Sequence, residues 1–509
     1  MSKKSMGFYV TIFVLGITFM TWGEESPPDR ETSQRLITQI DFSSWIKESL
    51  QVSPDSRRMA YGVEENNKMF VIVDGKKEKA YDEIMEGTPI FSPDSQHVAY
   101  GAKEGSKVRV IVDGKEEKAY DGVGTPIFSP DSKRLAYGAK EKDKIFIVVD
   151  GKEGKAYESV STFTFSPDSQ RMAYRAQLGD KRLVVVDGKE EKPYDGIGTI
   201  RFSPDSKRIA YLAKQDNQWF VVIDGKEGKP YEGAGKGALV FSPDSQRVAY
   251  VVKKGNQALI IVDEKEEKPY ESILEGSLLF SPDSQHLAYV AKEGEKWFVV
   301  VDGKEEKAYE GVGLNSLLFS PDSQHLAYVA REGGKWFVVI DGKEGKPYES
   351  ILKGTLLFSP DSQRIAYGAK ESNKWLVVVG QTSSFDGKEE KAYEEILKDT
   401  LLFSPDSRHL AYVAREGEKW FVVVDGKEEK AYDRILEGTP IFSPDSRRVA
   451  YGAGIGNNWF VVVDGKEGKS HEDIVTIRGG RIIFDSSDTL HYLAVFRNGV
   501  YLVEEKIKN

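Results

Sequence analysis

The chain has 509 residues, no cysteine, 30% charged side chains and a net charge of −10. The missing thiols exclude disulfides, thiolate metal sites and a cysteine nucleophile. Lys and Glu alternate within single short loops, so no basic stripe is offered to nucleic acid, and the length fits several ordinary domains or one large repetitive one.

The chain opens with Lys3 and Lys4, an apolar run from Phe8 to Trp22, and a polar stretch with two prolines. A basic start, a short apolar run and small residues at Thr21 and Gly23 describe a secretory signal over residues 1–23, with cleavage expected after Gly23. The run is about 15 residues, short of the roughly 20 that cross a bilayer. An uncleaved anchor is the alternative. Residues 24–35 read as a linker. The expected location is periplasmic or extracellular, with no transmembrane span once the signal is removed.

From there the sequence repeats itself. The first Ser of an SPDS tetrad stands at Ser53, Ser92, Ser129, Ser166, Ser203, Ser242, Ser281, Ser320, Ser359, Ser404 and Ser443, and FSPDSQHLAYVA occurs twice without change, from Phe280 and from Phe319. Most steps are 39 residues. Three steps are 37 and lose two residues after the Tyr of KAY or KPY, and one is 45, carrying the insert Gly380–Phe385. Length changes confined to such points mark loops. A twelfth, eroded copy surrounds Phe484.

Each unit reads as four strands. In the copy around Trp336, strand a is Leu317–Ser320, and Ser-Pro-Asp-Ser makes a turn in which Pro presets the backbone and Asp and Ser satisfy it. Strand b is HLAYVAR from His325, and strand c is WFVVID. Asp341-Gly342 is the dipeptide of a tight hairpin, and strand d is KPYESI from Lys346. LAYVA and WFVVV do not alternate apolar with polar, so both sheet faces must be covered. Four-stranded units of about 40 residues stacked on like units are propeller blades. A β-solenoid is the competitor, with shorter coils and fewer strands per repeat.

The two ends complement each other. Aligning the N-terminal segment with the end of a normal unit puts Phe42 at the place of Tyr270, Trp45 at Ile273 and Leu50 at Leu278. The C-terminal copy supplies strands a, b and c and then stops. The expected fold is therefore an all-β propeller over residues 36–509, with about twelve blades of four antiparallel strands. Leu36–Phe42 is expected to complete the last blade, begun near Ile482. Two six-bladed propellers are the alternative.

F-S-P-D-S followed by A-Y at a spacing of about 39 resembles the WD40-like propeller repeat of TolB-type proteins, over roughly residues 36–509. The resemblance implies the fold. Such repeats occur in periplasmic assembly proteins, in sugar-processing enzymes and beside peptidase domains, so it does not imply one activity. The chain departs from TolB in having too few residues before the first strand for an α/β domain, and no hydrolase domain is visible.

Candidate chemistry is sparse. The SPDS aspartates, such as Asp94, Asp283 and Asp361, come one per unit at a turn, whereas catalytic carboxylates work as close pairs in unequal surroundings. His97, His286, His325 and His409 share a position that is Arg in other copies, which reads as a solvated strand start. His471 and His491 fall in the irregular C-terminal units. Trp219, Trp297, Trp336, Trp375, Trp420 and Trp459 open strand c and read as inter-blade packing, with an aromatic binding row as the alternative. The position is Arg182 in one copy, which suggests contact with solvent. The DGKEEK and DGKEGK loops share a face with SPDS and read as a solvated belt that discourages edge pairing. At Asp263-Glu264 the Asp-Gly rule is broken. No GxSxG, HExxH, P-loop or dinucleotide fingerprint is present. No catalytic or metal residue and no cofactor is assigned, and binding residues stay unassigned. The departures worth following are the insert at Gly380–Phe385, Gln177-Leu178, and residues 470–509. The expected function is an exported, non-catalytic propeller scaffold binding a protein or cell-envelope component. The alternatives are a propeller lyase or glycosidase acting on a saccharide, and a structural surface protein amplified by duplication of its own repeat.

Overall fold

The computed structural model describes residues 29–508 apart from 42, 385 and 386, and leaves the side chains of 236–238 and 477 undescribed. The expected signal segment and Phe42 lie outside the described residues. Among the described residues, strands fold into twelve small antiparallel sheets, numbered here as blades 1 to 12 from Trp45 onward. No helix of these residues is long and apolar enough to cross a membrane.

Blade 8 shows the unit. Strand a comes in two pieces, Gly311–Val312 and Leu318–Phe319, both paired with strand b, Leu326–Glu332. Strand c is Lys335–Ile340 and strand d is Lys343–Glu344, extended by a bridge from Tyr348 to Trp336. One boundary differs from the sequence reading. KPYESI is not a single strand: Tyr348 closes blade 8, while Ser350–Ile351 already pairs with strand b of blade 9. The chain crosses between blades at Glu349.

The unbroken apolar run of strand b is explained by two wet-free faces. Ala327 and Val329 point into the cluster shared with blade 9, where they meet Phe358, Tyr367 and Val378. Leu326, Tyr328 and Ala330 point the other way, into the cluster shared with blade 7. Alternate residues of one strand thus fill opposite seams, the period of two expected of a pleated strand. Tyr348 and Tyr367 meet edge to face across the seam, ring centroids 6.3 Å apart.

Such clusters join every consecutive pair of blades, including 6 with 7, where Ile260 and Tyr270 pack with Leu278 and Tyr289. Two six-bladed rings would part there, so the molecule is one ring of twelve. It closes where Ile37, Leu493 and Leu502 of blade 12 pack on Leu50, Val52 and Tyr61 of blade 1. The closing strand is N-terminal. Arg30–Gln39 pairs antiparallel with Gly499–Ile507, from Arg30 opposite Ile507 to Gln39 opposite Gly499. The strand begins inside the stretch expected to be a linker. Trp45 opposite Val63 then opens strand a of blade 1, matching Ile273 opposite Ala291 in blade 7.

Candidate functional site

The SPDS turns form a belt around one face. Ser320 Oγ donates to Asp322 Oδ1 at 2.6 Å and accepts the His325 N–H at 2.9 Å. Ser323 sits in the left-handed region at φ 65°, a strained place for a residue with a Cβ, and is buried. Its hydroxyl accepts the Asp283 N–H of the preceding blade at 2.9 Å, and the Asp322 N–H donates to Ser362 of the next at 3.0 Å. The same link recurs from Asp55–Ser95 to Asp406–Ser446, and Arg481 N–H closes onto Ser56 at 2.9 Å. The turn aspartates are structural, as their spacing suggests. Hydrogen bonds from Ser92 and the Gln96 N–H hold Asp94 below the usual carboxylate range.

The position that alternates between His and Arg is not simply solvated. Arg134 donates through Nε to the hairpin Asp150 at 3.1 Å and through Nη1 to the Ser169 and Gln170 carbonyls of the next blade, and lies 5.2 Å over Phe165. His325 Nδ1 donates to Asp341 at 2.7 Å, and His97 stacks on Phe128 of the following blade. The position clamps one blade to the next. Its partners stand about 16 and 36 residues away, which sequence spacing alone does not reveal.

The Lys and Glu of the outer loops pair between blades. Lys307 reaches Glu344 at 2.5 Å, Lys391 reaches Glu428 at 2.7 Å, and Lys430 reaches Glu467 at 2.6 Å. Beneath them, Glu306 accepts the Tyr328 hydroxyl at 2.7 Å, and burial holds its carboxyl above the usual range. Asp263-Glu264 still turns as a hairpin, with both residues at positive φ. The Trp row is half-buried at the blade seams, each of four rings capped by a strand-b cation, as Arg331 over Trp336 at 5.6 Å. Packing is the reading the structure supports for Trp219, Trp297, Trp336, Trp375, Trp420 and Trp459. Arg182 is exposed, as its place in the row suggested.

Both irregular histidines sit in seams. His471 replaces the strand-d Tyr of blade 11 and bridges to Trp459. Its Nε2 lies 3.0 Å from the Tyr492 hydroxyl, which donates to Glu505 Oε1 at 2.7 Å. The hydroxyl proton is thereby committed to Glu505, so His471 Nε2 carries a hydrogen and donates. Burial pulls His471 down to about 4. Glu505 is fully buried and paired at 2.6 Å with Arg30, which also donates to the Val461 carbonyl at 3.1 Å and to that of Lys466. Arg30 therefore fastens the N-terminal strand to blade 11 as well as to blade 12. At the next seam, His491 Nε2 meets the Asp55 carbonyl of blade 1 at 2.7 Å and Nδ1 meets Asp485 at 2.8 Å. Both histidines are buried, and no group of three or more ligating side chains suited to a metal occurs among the described residues.

The opposite face, formed by the b–c and d–a loops, is different. Strand b ends in Glu in seven blades, for example Glu293 and Glu332, in Gln215 and Lys254 in blades 5 and 6, but in Leu178, Ile455 and Phe496 in blades 4, 11 and 12. These are 50%, 38% and 45% exposed, and Leu36 is exposed beside Tyr501 on the closing strand. Gln177-Leu178 thus ends strand b of blade 4 just before the b–c turn at Gly179-Asp180, residues 473–507 with Arg30–Gln39 build blade 12, and Gly380–Ser384 widens the c–d hairpin of blade 9. Phe385, the last residue of that insert, lies outside the described residues.

No family model matches the chain, and no curated protein matches it. Solved structures do. The chain is similar to a structure titled as the eukaryotic initiation factor, at 14% identity over 67% of this chain and 97% of that one, TM-score 0.36. It is similar to TolB from Acinetobacter baumannii, at 16% identity over 53% of this chain and 77% of that one, TM-score 0.24. It is also similar to the β-propeller domain of the Trilobed protease from Pyrococcus furiosus, at 14% identity over 52% of this chain and 96% of that one, TM-score 0.26. The chain is a twelve-bladed β-propeller with TolB-like neighbours.

Proposed function

We propose that the ring is an exported, non-catalytic scaffold whose b–c face docks a protein or another component of the cell envelope. The observation that carries this reading is the substitution of Glu by exposed apolar residues at one equivalent position, with Ile455 and Phe496 on adjacent blades. Isolated exposed apolar residues are ordinary; apolar letters at a position that is Glu, Gln or Lys in the other nine blades, two of them on neighbouring blades, are less so. Ion pairs occur on this face too, as Lys107–Asp121 and Lys419–Asp433, so the apolar letters and not a shortage of paired charge mark it. Export rests on the basic, then apolar, start of the sequence.

The test uses the purified full chain with a photocrosslinker on blade 12, incubated with envelope extract. One dominant adduct is expected, lost in Ile455→Lys with Phe496→Glu at unchanged melting temperature and kept when Lys304 on the opposite face is changed to Glu. An adduct indifferent to the apolar pair removes the docking face. Cell fractionation that finds the chain in the cytoplasm removes export.

A further inference from the structure

Blade 4 departs from its neighbours at two positions on one face. The fourth residue of strand b is Gly, Val or Leu in the other eleven blades, as Gly138, Leu212 and Val329, and is Arg175 in blade 4. The strand-c place that holds Ile145, Trp219 and Val500 is apolar in the other eleven blades and is Arg182 in blade 4. Arg175 stands opposite Val184 and Arg182 opposite Gln177. The two arginines are therefore diagonal neighbours on one face, the face whose Ala173 and Val184 pack on Ile197 and Ile200 of blade 5. Long side chains reach one another across such a diagonal.

Neither charge is answered by an acid among the described residues. Arg175 is half-buried; its Nη2 donates to the Gly198 carbonyl of blade 5 at 2.6 Å, and its Nε is buried with no hydrogen-bond partner. Gly198 lies in the irregular stretch of strand a between Ile197 and Ile200. Arg182 is exposed, and like Arg175 it makes no ion pair among the described residues. Arg182 bridges to Tyr194, and the acid that follows, Asp195, is taken by Lys181 at 2.5 Å and by the Asp216 N–H at 2.8 Å. Burial and the Arg182 charge together hold Arg175 below the usual guanidinium value. Two like charges side by side on a half-covered seam are a cost that the other blades avoid, and a departure of that kind marks a place where a ligand supplies the opposite charge. Each guanidinium offers a planar fork of N–H donors to an oxyanion, and the two together match a group carrying about two negative charges.

We propose that Arg175 and Arg182 bind a tetrahedral oxyanion at the seam of blades 4 and 5, the phosphate or sulfate group of a small ligand. Arg175 is anchored to blade 5 through the Gly198 carbonyl, and Arg182 meets the ligand from the solvent side. A carboxylate, with a single charge, would leave one of the two arginines unanswered. The site stands independently of the apolar docking residues. Phosphate and sulfate share the chemistry that the pair recognises, and the titration below separates them.

The full chain is titrated by calorimetry, at constant ionic strength, with inorganic phosphate, with sulfate and with acetate. Phosphate or sulfate is expected to bind at a single site per chain, the tighter of the two naming the group, and acetate should bind about tenfold more weakly or less. Arg175→Val and Arg182→Trp install residues that other blades carry at these places, and each should weaken binding about tenfold or more. Arg182 is exposed, so Arg182→Gln tests the pair without disturbing the packed seam and should show the same loss at an unchanged melting temperature. Arg331→Gln, in a blade without the pair, should leave binding unchanged. The proposal is overturned if neither phosphate nor sulfate binds, if acetate binds as tightly as either, or if Arg182→Gln keeps the parent's affinity.

Discussion

Arg30→Ala is the perturbation that bears hardest on ring closure. Arg30 is 2% exposed and Glu505 0%, so the pair has no help from solvent. The guanidinium also satisfies the Val461 and Lys466 carbonyls across the seam. Truncation leaves a buried carboxylate with the Tyr492 hydroxyl as its remaining donor and strips two carbonyls of their partner. Breaking one side of a buried pair costs about 3–5 kcal/mol, whereas replacing both sides with neutral groups of similar volume costs far less. Arg30→Met with Glu505→Gln should therefore lose no more than about 2 kcal/mol, less than the single change, a coupling visible only if the two residues act as a unit. Blades stacked in a row need not unfold together, so denaturation is to be paired with hydrogen exchange of the Gly499–Ile507 amides, which report the seam itself. A loss below about 1 kcal/mol for Arg30→Ala, or a double variant worse than the single, would refute the argument.

Two further outcomes follow from the same seam. His471 is held neutral with its pKa near 4, against 6.5 for an unburied imidazole. The unfolded chain thus takes up a proton that the folded one refuses, so stability is complete above about pH 6.5 and falls as pH drops toward 4, by about 3 kcal/mol in all. His471→Gln, which keeps a donor for Tyr492 and does not titrate, should flatten that difference between melting curves at pH 7.5 and pH 4.5; an unchanged slope would mean His471 does not carry it. The chain has no cysteine, so Ser33→Cys with Glu504→Cys, directly opposite each other in the closing pair, should form one disulfide under mild oxidation and circularise residues 33–504. Failure to crosslink in the folded protein would place the N-terminal strand elsewhere.

The blades were legible because their signals are local. SPDS carries its turn within six residues, strand b announces two covered faces by its unbroken apolar run, and Trp45 and Leu50 align with Ile273 and Leu278 by inspection. The ends of strand d were not legible. Only two residues and a Tyr bridge hold it, so KPYESI looks continuous although Glu349 is the crossing point. Arg30 was hidden in a stretch that reads as linker, because its acidic partner lies 475 residues away. His325 and Arg134 looked solvated for a similar reason: their positions carry a polar letter in every copy, and the partner is the neighbouring blade.

Single-particle imaging of the purified chain tests the central claim most directly. One closed ring of twelve blades is predicted, with Arg30–Gln39 as the outermost strand of the blade that contains Gly499–Ile507. Two rings of six, an open spiral, or a last blade lacking that strand would contradict it.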